Sequence, residues 1–152
     1  DYKYNLIRVT QILIQKAHFV STNFYKPLSF YLEIEDKELK IKGFKEIQES
    51  TGIILNNLNS IRNNKKNTSF DLKSACKVSL ANLVFLIKTL DVNSDKQTVK
   101  DLDYLYKHVM FCLLRIRDHS DYAYIDNAVK IVEEINEGWD RVTSALNNFS
   151  AA

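Results

Sequence analysis

The stretch DLDYLYKHVMFCLLRI, residues 101–116, decides the fold class. Leu102, Leu105, Tyr106, Val109, Leu113 and Ile116 recur every three or four residues, the spacing of one helix face. Tyr104 and Phe111 fall off that stripe. At about 100° per residue they project roughly opposite it. Either this helix is sandwiched between neighbours and needs two faces, or part of its second face is a groove for a partner's helix or extended segment.

The pattern repeats outward from there. Phe44, Ile47, Thr51, Ile54, Leu58 and Ile61 step by three and four and predict a helix over 44–63, with Gly52 inside it. That glycine costs the helix about 1 kcal/mol against alanine, and it either allows a close backbone approach or has no role. RNNKKNTS, residues 62–69, is a polar loop in which Ser69 is placed to cap the next helix. Residues 70–90 carry Leu72, Cys76, Leu83, Ile87 and Leu90 on one face and Val78, Ala81 and Phe85 on a second. After DVNSDKQT (91–98), with Thr98 as the expected cap, comes the helix of the opening stretch, over 99–117. The last helix, about 122–147, sets Ile125, Val129, Val132, Ile135, Trp139 and Leu146 on one face and charged residues on the other. Upstream, Leu6, Val9, Leu13, Ala17 and Val20 predict a helix over 4–25, ended by Pro27. Between the two, Leu28, Phe30, Leu32 and Ile34, then Leu39 and Ile41, alternate with period two. A short hairpin or extended arm is favoured over helix for 28–42.

The expectation is therefore an all-α, antiparallel up-down bundle of four to five helices in a single domain of 152 residues. Three glycines and one proline fit long helices with short connections. The net charge of +2, with Lys65–Lys66 and Arg115–Arg117 as sparse basic pairs, gives no footprint for nucleic acid or an anionic membrane. No apolar run approaches the roughly 18 residues of a membrane span. No targeting signal is visible after Asp1. Cys76 and Cys112 fall on or near apolar stripes and read as buried free thiols. The many asparagines read as compositional bias.

Catalysis finds little support. His18, His108 and His119 lie in separate segments without a compact metal-ligand spacing, and there is no glycine-rich phosphate loop. Asp118–His119–Asp121 reads as a solvated turn and Glu133–Glu134 as a solvated pair of carboxylates. No catalytic residue, metal or cofactor is expected. The apolar residues off the main stripes, Ile53, Val78, Phe85, Tyr104, Phe111 and Leu114, are the candidates for partner contact. Tyrosines suit such a surface because the ring is apolar and its tip polar. If Phe111 lies in a groove, aspartate there should abolish partner binding and spare the fold; in a core it should unfold the protein.

LDYLYKHVM (102–110) followed by IDNAVKIVEEINEGW (125–139) resembles the FliS-type flagellin export chaperones. Leu105–Tyr106 match the family's LY pair in its penultimate helix. Glu133, Glu134, Ile135 and Trp139 match its final-helix pattern, and KTLD (88–91) the end of its third helix. The similarity spans roughly 39–146. Residues KIKGF (40–44) stand where the family has Ser-Pro, Ser50–Thr51 stand where it has LY before Gly52, and residues 1–38 have no counterpart. The resemblance implies a cytoplasmic helical bundle that binds the C-terminal segment of flagellin, prevents premature polymerisation, and passes it to the flagellar export apparatus. It adds Tyr106 to the contact set, a residue that suits the core equally. Residues 1–38 could form a further helix, a lid over the groove or an oligomer arm. As a lid, their deletion should tighten client binding. The alternative function is a secreted or surface helical-bundle adhesion or antigen domain.

Overall fold

The computed structural model describes residues 26–91 and 94–150, so the helix expected over 4–25 lies outside the described residues. Five helices follow in order: α1 (Leu28–Glu33), α2 (Lys37–Asn63), α3 (Leu72–Lys88), α4 (Gln97–His119) and α5 (Ile125–Ser150). A single 3-10 turn, Tyr122–Tyr124, leads into α5. No strand occurs among the described residues.

The favoured hairpin over 28–42 is overturned: α1 and the start of α2 occupy it. Two local forces decide the matter. Asp36 accepts a hydrogen bond from the Leu39 N–H at 3.2 Å and starts α2 seven residues before the expected point. Leu28 and Tyr31, one helical turn apart, both reach the core, so the alternation in 28–34 is incidental. The other caps also differ from expectation. Asp71, not Ser69, starts α3 by accepting from Ser74 N–H at 3.0 Å. Lys96 rather than Thr98 sits at the N-cap of α4. Ser120 closes α4 in the left-handed region (φ 53°), its N–H bonding back to the Ile116 carbonyl at 3.0 Å. Two of the asparagines have a structural role: Asn67 Nδ2 donates to Asn64 Oδ1 at 3.0 Å and Asn64 Nδ2 to the Ser60 carbonyl, which builds the α2–α3 turn.

Helices α2 to α5 form a closed ring in which each packs on its chain neighbours and α5 returns against α2. Their inner faces interlock through Phe44, Ile54, Leu58, Leu83, Val109, Leu113, Ile116, Ile125 and Val129, all essentially inaccessible to solvent. Four helices around one core leave each with a single inward face. Among the described residues α3 and α4 each pack on their two neighbours in the ring, and α5 is a full wall of it. Phe44 of α2 meets Trp139 of α5 with ring centroids 5.2 Å apart, and Gln48 hydrogen-bonds Asp140 nearby.

Helix α1 is a clasp across one end of the ring. The Leu28 N–H donates to the Thr89 carbonyl at the end of α3, and Glu33 pairs with Lys96 at 3.3 Å before α4. Tyr31 lies flat over Gly43 of α2. A Cβ on that glycine would stand 2.5 Å from two atoms of the ring. Of the two readings left open for Gly52, the structure shows no close approach there, since a Cβ would meet nothing within 4 Å; the close approach is at Gly43.

Candidate partner-binding surface

The seven residues singled out in the sequence do not form one patch. Tyr106 belongs to the core: it is 2 % exposed and hydrogen-bonds with Trp139. Burial pushes its phenol well above the usual range, with the Trp139 bond pulling the other way. Phe85, Phe111 and Leu114 are half-buried and pack against the edge of the core. Ile53, Val78 and Tyr104 are exposed, Tyr104 by 70 %.

Tyr104 and Phe111 are brought together through a residue the sequence left out. His108 lies one turn from each. Its ring runs parallel to Tyr104 at 6.4 Å and tilts against Phe111 at 6.2 Å. Phe111 then meets Tyr124, from the turn before α5, edge to face at 5.3 Å. The Arg115 guanidinium caps Tyr124 at 6.0 Å from the ring centre. Asn127 of α5 fixes His108 by a 3.0 Å hydrogen bond to Nε2. The result is a ladder of four rings along the α4–α5 edge, with its most exposed rung at Tyr104. The signal in the sequence was the i, i+4, i+7 series Tyr104, His108, Phe111. Tyr124 and Asn127 could be added only by the antiparallel register of α4 and α5.

The charges beside this ladder are paired within the chain, although Asp103 Oδ1 and Arg115 Nε are buried without a hydrogen-bond partner among the described residues. Asp103 pairs with Lys107 at 3.0 Å, Arg115 with Asp121 at 3.3 Å and Arg117 with Asp118 at 2.7 Å. The Asp118–His119–Asp121 turn is thus tied to two arginines of α4. Such surface pairs add little stability, but they leave the rings in an electrostatically quiet surround.

Ile53 and the pair Val78–Phe85 lie elsewhere, on α2 and on the outward arc of α3. Val78 and Phe85 are two turns apart on one arc, where Ala81 is also exposed. Among the described residues no group of His, Cys, Asp or Glu is arranged to hold a metal ion, and no helix is long and apolar enough to cross a membrane. Cys76 and Cys112 are free, fully buried thiols whose pKa burial pushes up to about 11, which leaves them protonated near neutrality.

Fold and surface together define a closed antiparallel four-helix bundle, clasped at one end, that presents an aromatic ladder on its outside. Residues 54–146 match the model of the family described as flagellar protein FliS, and the chain belongs to that family. The match begins within α2 and ends near the close of α5, so it takes in the three helices that carry the ladder and the α3 face. No curated protein and no solved structure matches the chain. The family is one of flagellar export chaperones, not of enzymes.

Proposed function

We propose that this protein is a cytoplasmic export chaperone that binds the C-terminal region of flagellin and keeps it from polymerising before secretion. The observation that carries this reading is the ladder Tyr104–His108–Phe111–Tyr124, an aromatic surface with its charges already paired, in a chain of this family. A client segment that is unfolded in isolation must offset its ordering entropy with apolar contact, and stacked rings supply contact at little entropic cost of their own. Tyr104, Phe111 and Leu114 form the contact on α4. Ile53, Val78 and Phe85 form a second, separate face. Tyr106 acts from the core by holding α4 against α5, and no cofactor takes part. The flagellar export apparatus is the partner that receives the loaded complex.

Calorimetric titration of the protein with the C-terminal segment of flagellin from the same organism, against an unrelated amphipathic peptide, tests this. Selective binding with a large negative heat-capacity change is expected from coupled folding on an apolar surface. A well-folded protein that binds neither peptide would refute the proposal.

A further inference from the structure

Histidine is the side chain that changes charge between about pH 5 and pH 8, so a histidine within a binding surface sets the charge of that surface. The chain has three, His18, His108 and His119. His18 lies outside the described residues, and His119 ends α4 beyond the ladder. His108 is itself a rung. Its ring plane is 10° from that of Tyr104 and 40° from that of Phe111. The residue is half-buried, while Tyr104 beside it is exposed. Its Nε2 accepts from Asn127 Nδ2 at 3.0 Å, the arrangement of a neutral imidazole with its proton on Nδ1.

The groups around the ring do not supply a counter-charge. On α4, Asp103 is engaged by Lys107, and Arg115 is engaged by Asp121 from the turn that follows. Cys112, one turn on from His108, is a buried thiol that burial keeps protonated. The 3-10 turn before α5 contributes the phenols of Tyr122 and Tyr124. On α5, Asp126 and Lys130 flank Asn127 and are both exposed, and Glu134 follows one turn later, also exposed. Among the described residues no carboxylate pairs with His108.

We propose that binding of the client at the ladder is linked to the loss of a proton from His108. While the ladder is open, water solvates the charged form of the ring. A client laid over Tyr104 and His108 excludes that water. The imidazolium then loses its hydration with no carboxylate in exchange, whereas the neutral ring offers the client a flat, weakly polar face. Cover and proton therefore compete for His108, and the proton displaced by the client goes to solvent. The sign follows: affinity is full at the alkaline end of the histidine range and is lost towards the acid end. This deepens the chaperone reading, on which it rests, by naming how the contact on α4 is regulated.

The test is calorimetric titration of the full chain with the C-terminal segment of flagellin at about pH 8 and about pH 5.5, with circular dichroism at both to follow the fold. Affinity should be about tenfold weaker at the acid pH. Near about pH 6.5 the heat of binding should depend on the ionisation enthalpy of the buffer, because protons are released. His108→Phe keeps a ring in the ladder but takes up no proton. Its affinity, whatever its value, should be the same at both pH values, and its heat should not depend on the buffer. His108→Gln, which retains a hydrogen-bond partner for Asn127, is the second variant and should show the same flat profile. Equal affinity of the wild-type chain at both pH values, or variants that keep the wild-type pH dependence, would overturn this inference and leave the chaperone reading standing. No binding at either pH would overturn both.

Discussion

Three glycines stand inside helices of this protein, and replacing each by alanine should not have the same sign. In a helix interior the change from glycine to alanine gains about 1 kcal/mol of propensity. At Gly52 a Cβ meets nothing within 4 Å, and at Gly138 only the end of Arg141 at 3.9 Å. Both substitutions should therefore stabilise by nearly the full amount. At Gly43 the added carbon would stand 2.5 to 2.7 Å from three atoms of the Tyr31 ring. Ordinary contact needs about 3.5 Å or more, so the ring must withdraw by roughly 1 Å. Tyr31 is 7 % exposed and edge to face with Phe30, so it cannot move without α1. Overpacking of this kind costs about 1–3 kcal/mol, which exceeds the propensity gain. Gly43→Ala should be net destabilising by up to about 2 kcal/mol, with faster hydrogen exchange confined to α1. Denaturant unfolding of Gly43→Ala, alone and in a Tyr31→Ala background, measures the coupling. With the ring gone, the same alanine should become stabilising by about 1 kcal/mol. If Gly43→Ala stabilises the wild-type protein as much as Gly52→Ala does, the clasp described for α1 is wrong.

Tyr106→Phe removes the acceptor for the buried Trp139 N–H and should cost about 1–3 kcal/mol in chemical denaturation while α-helical circular dichroism stays unchanged. Tyr104→Ala, at a site 70 % exposed, should alter stability by less than about 0.5 kcal/mol yet weaken binding of the flagellin segment by about tenfold or more in calorimetry. A loss of stability without a loss of binding would return the ladder to a structural role. Stability should also fall in alkali. Cys76 and Cys112 have folded pKa values raised from 9.0 to about 11, so their contribution is complete below pH 9 and disappears as pH climbs to 11. Two units correspond to about 3 kcal/mol per thiol, and the double Cys→Ala variant should show a flatter profile over that window.

The helices of the ring were legible because each repeats its apolar residues at a period that no other regular structure can bury, as Leu102, Tyr106, Val109 and Leu113 do on α4. The family was legible as a resemblance, carried by Leu105–Tyr106 and the run from Glu133 to Trp139, and residues 54–146 match its model. One segment was misread where the local pattern was short, and the glycines were left undecided. Residues 28–34 satisfy a period of two and a period of three alike, and the choice fell to the Asp36 cap and to the burial of Leu28 and Tyr31 against other helices. The glycines looked alike in sequence, yet only Gly43 has an aromatic ring laid against it.

The sequence by itself determined which side of each helix α2 to α5 faces inward, since burying apolar area is a property of each helix's own residues. It also named Tyr104 and Phe111 as surplus to that need. Tertiary structure alone decided what the surplus does. Among the described residues a ring of four helices has one shared interior, and Val78 of α3 and Tyr104 of α4 stand exposed outside it. The antiparallel register of α4 and α5 then set His108 beside Asn127 and Phe111 beside Tyr124, joining residues from two segments into one ladder. No periodicity within a single helix encodes that juxtaposition, because it depends on where two helices meet.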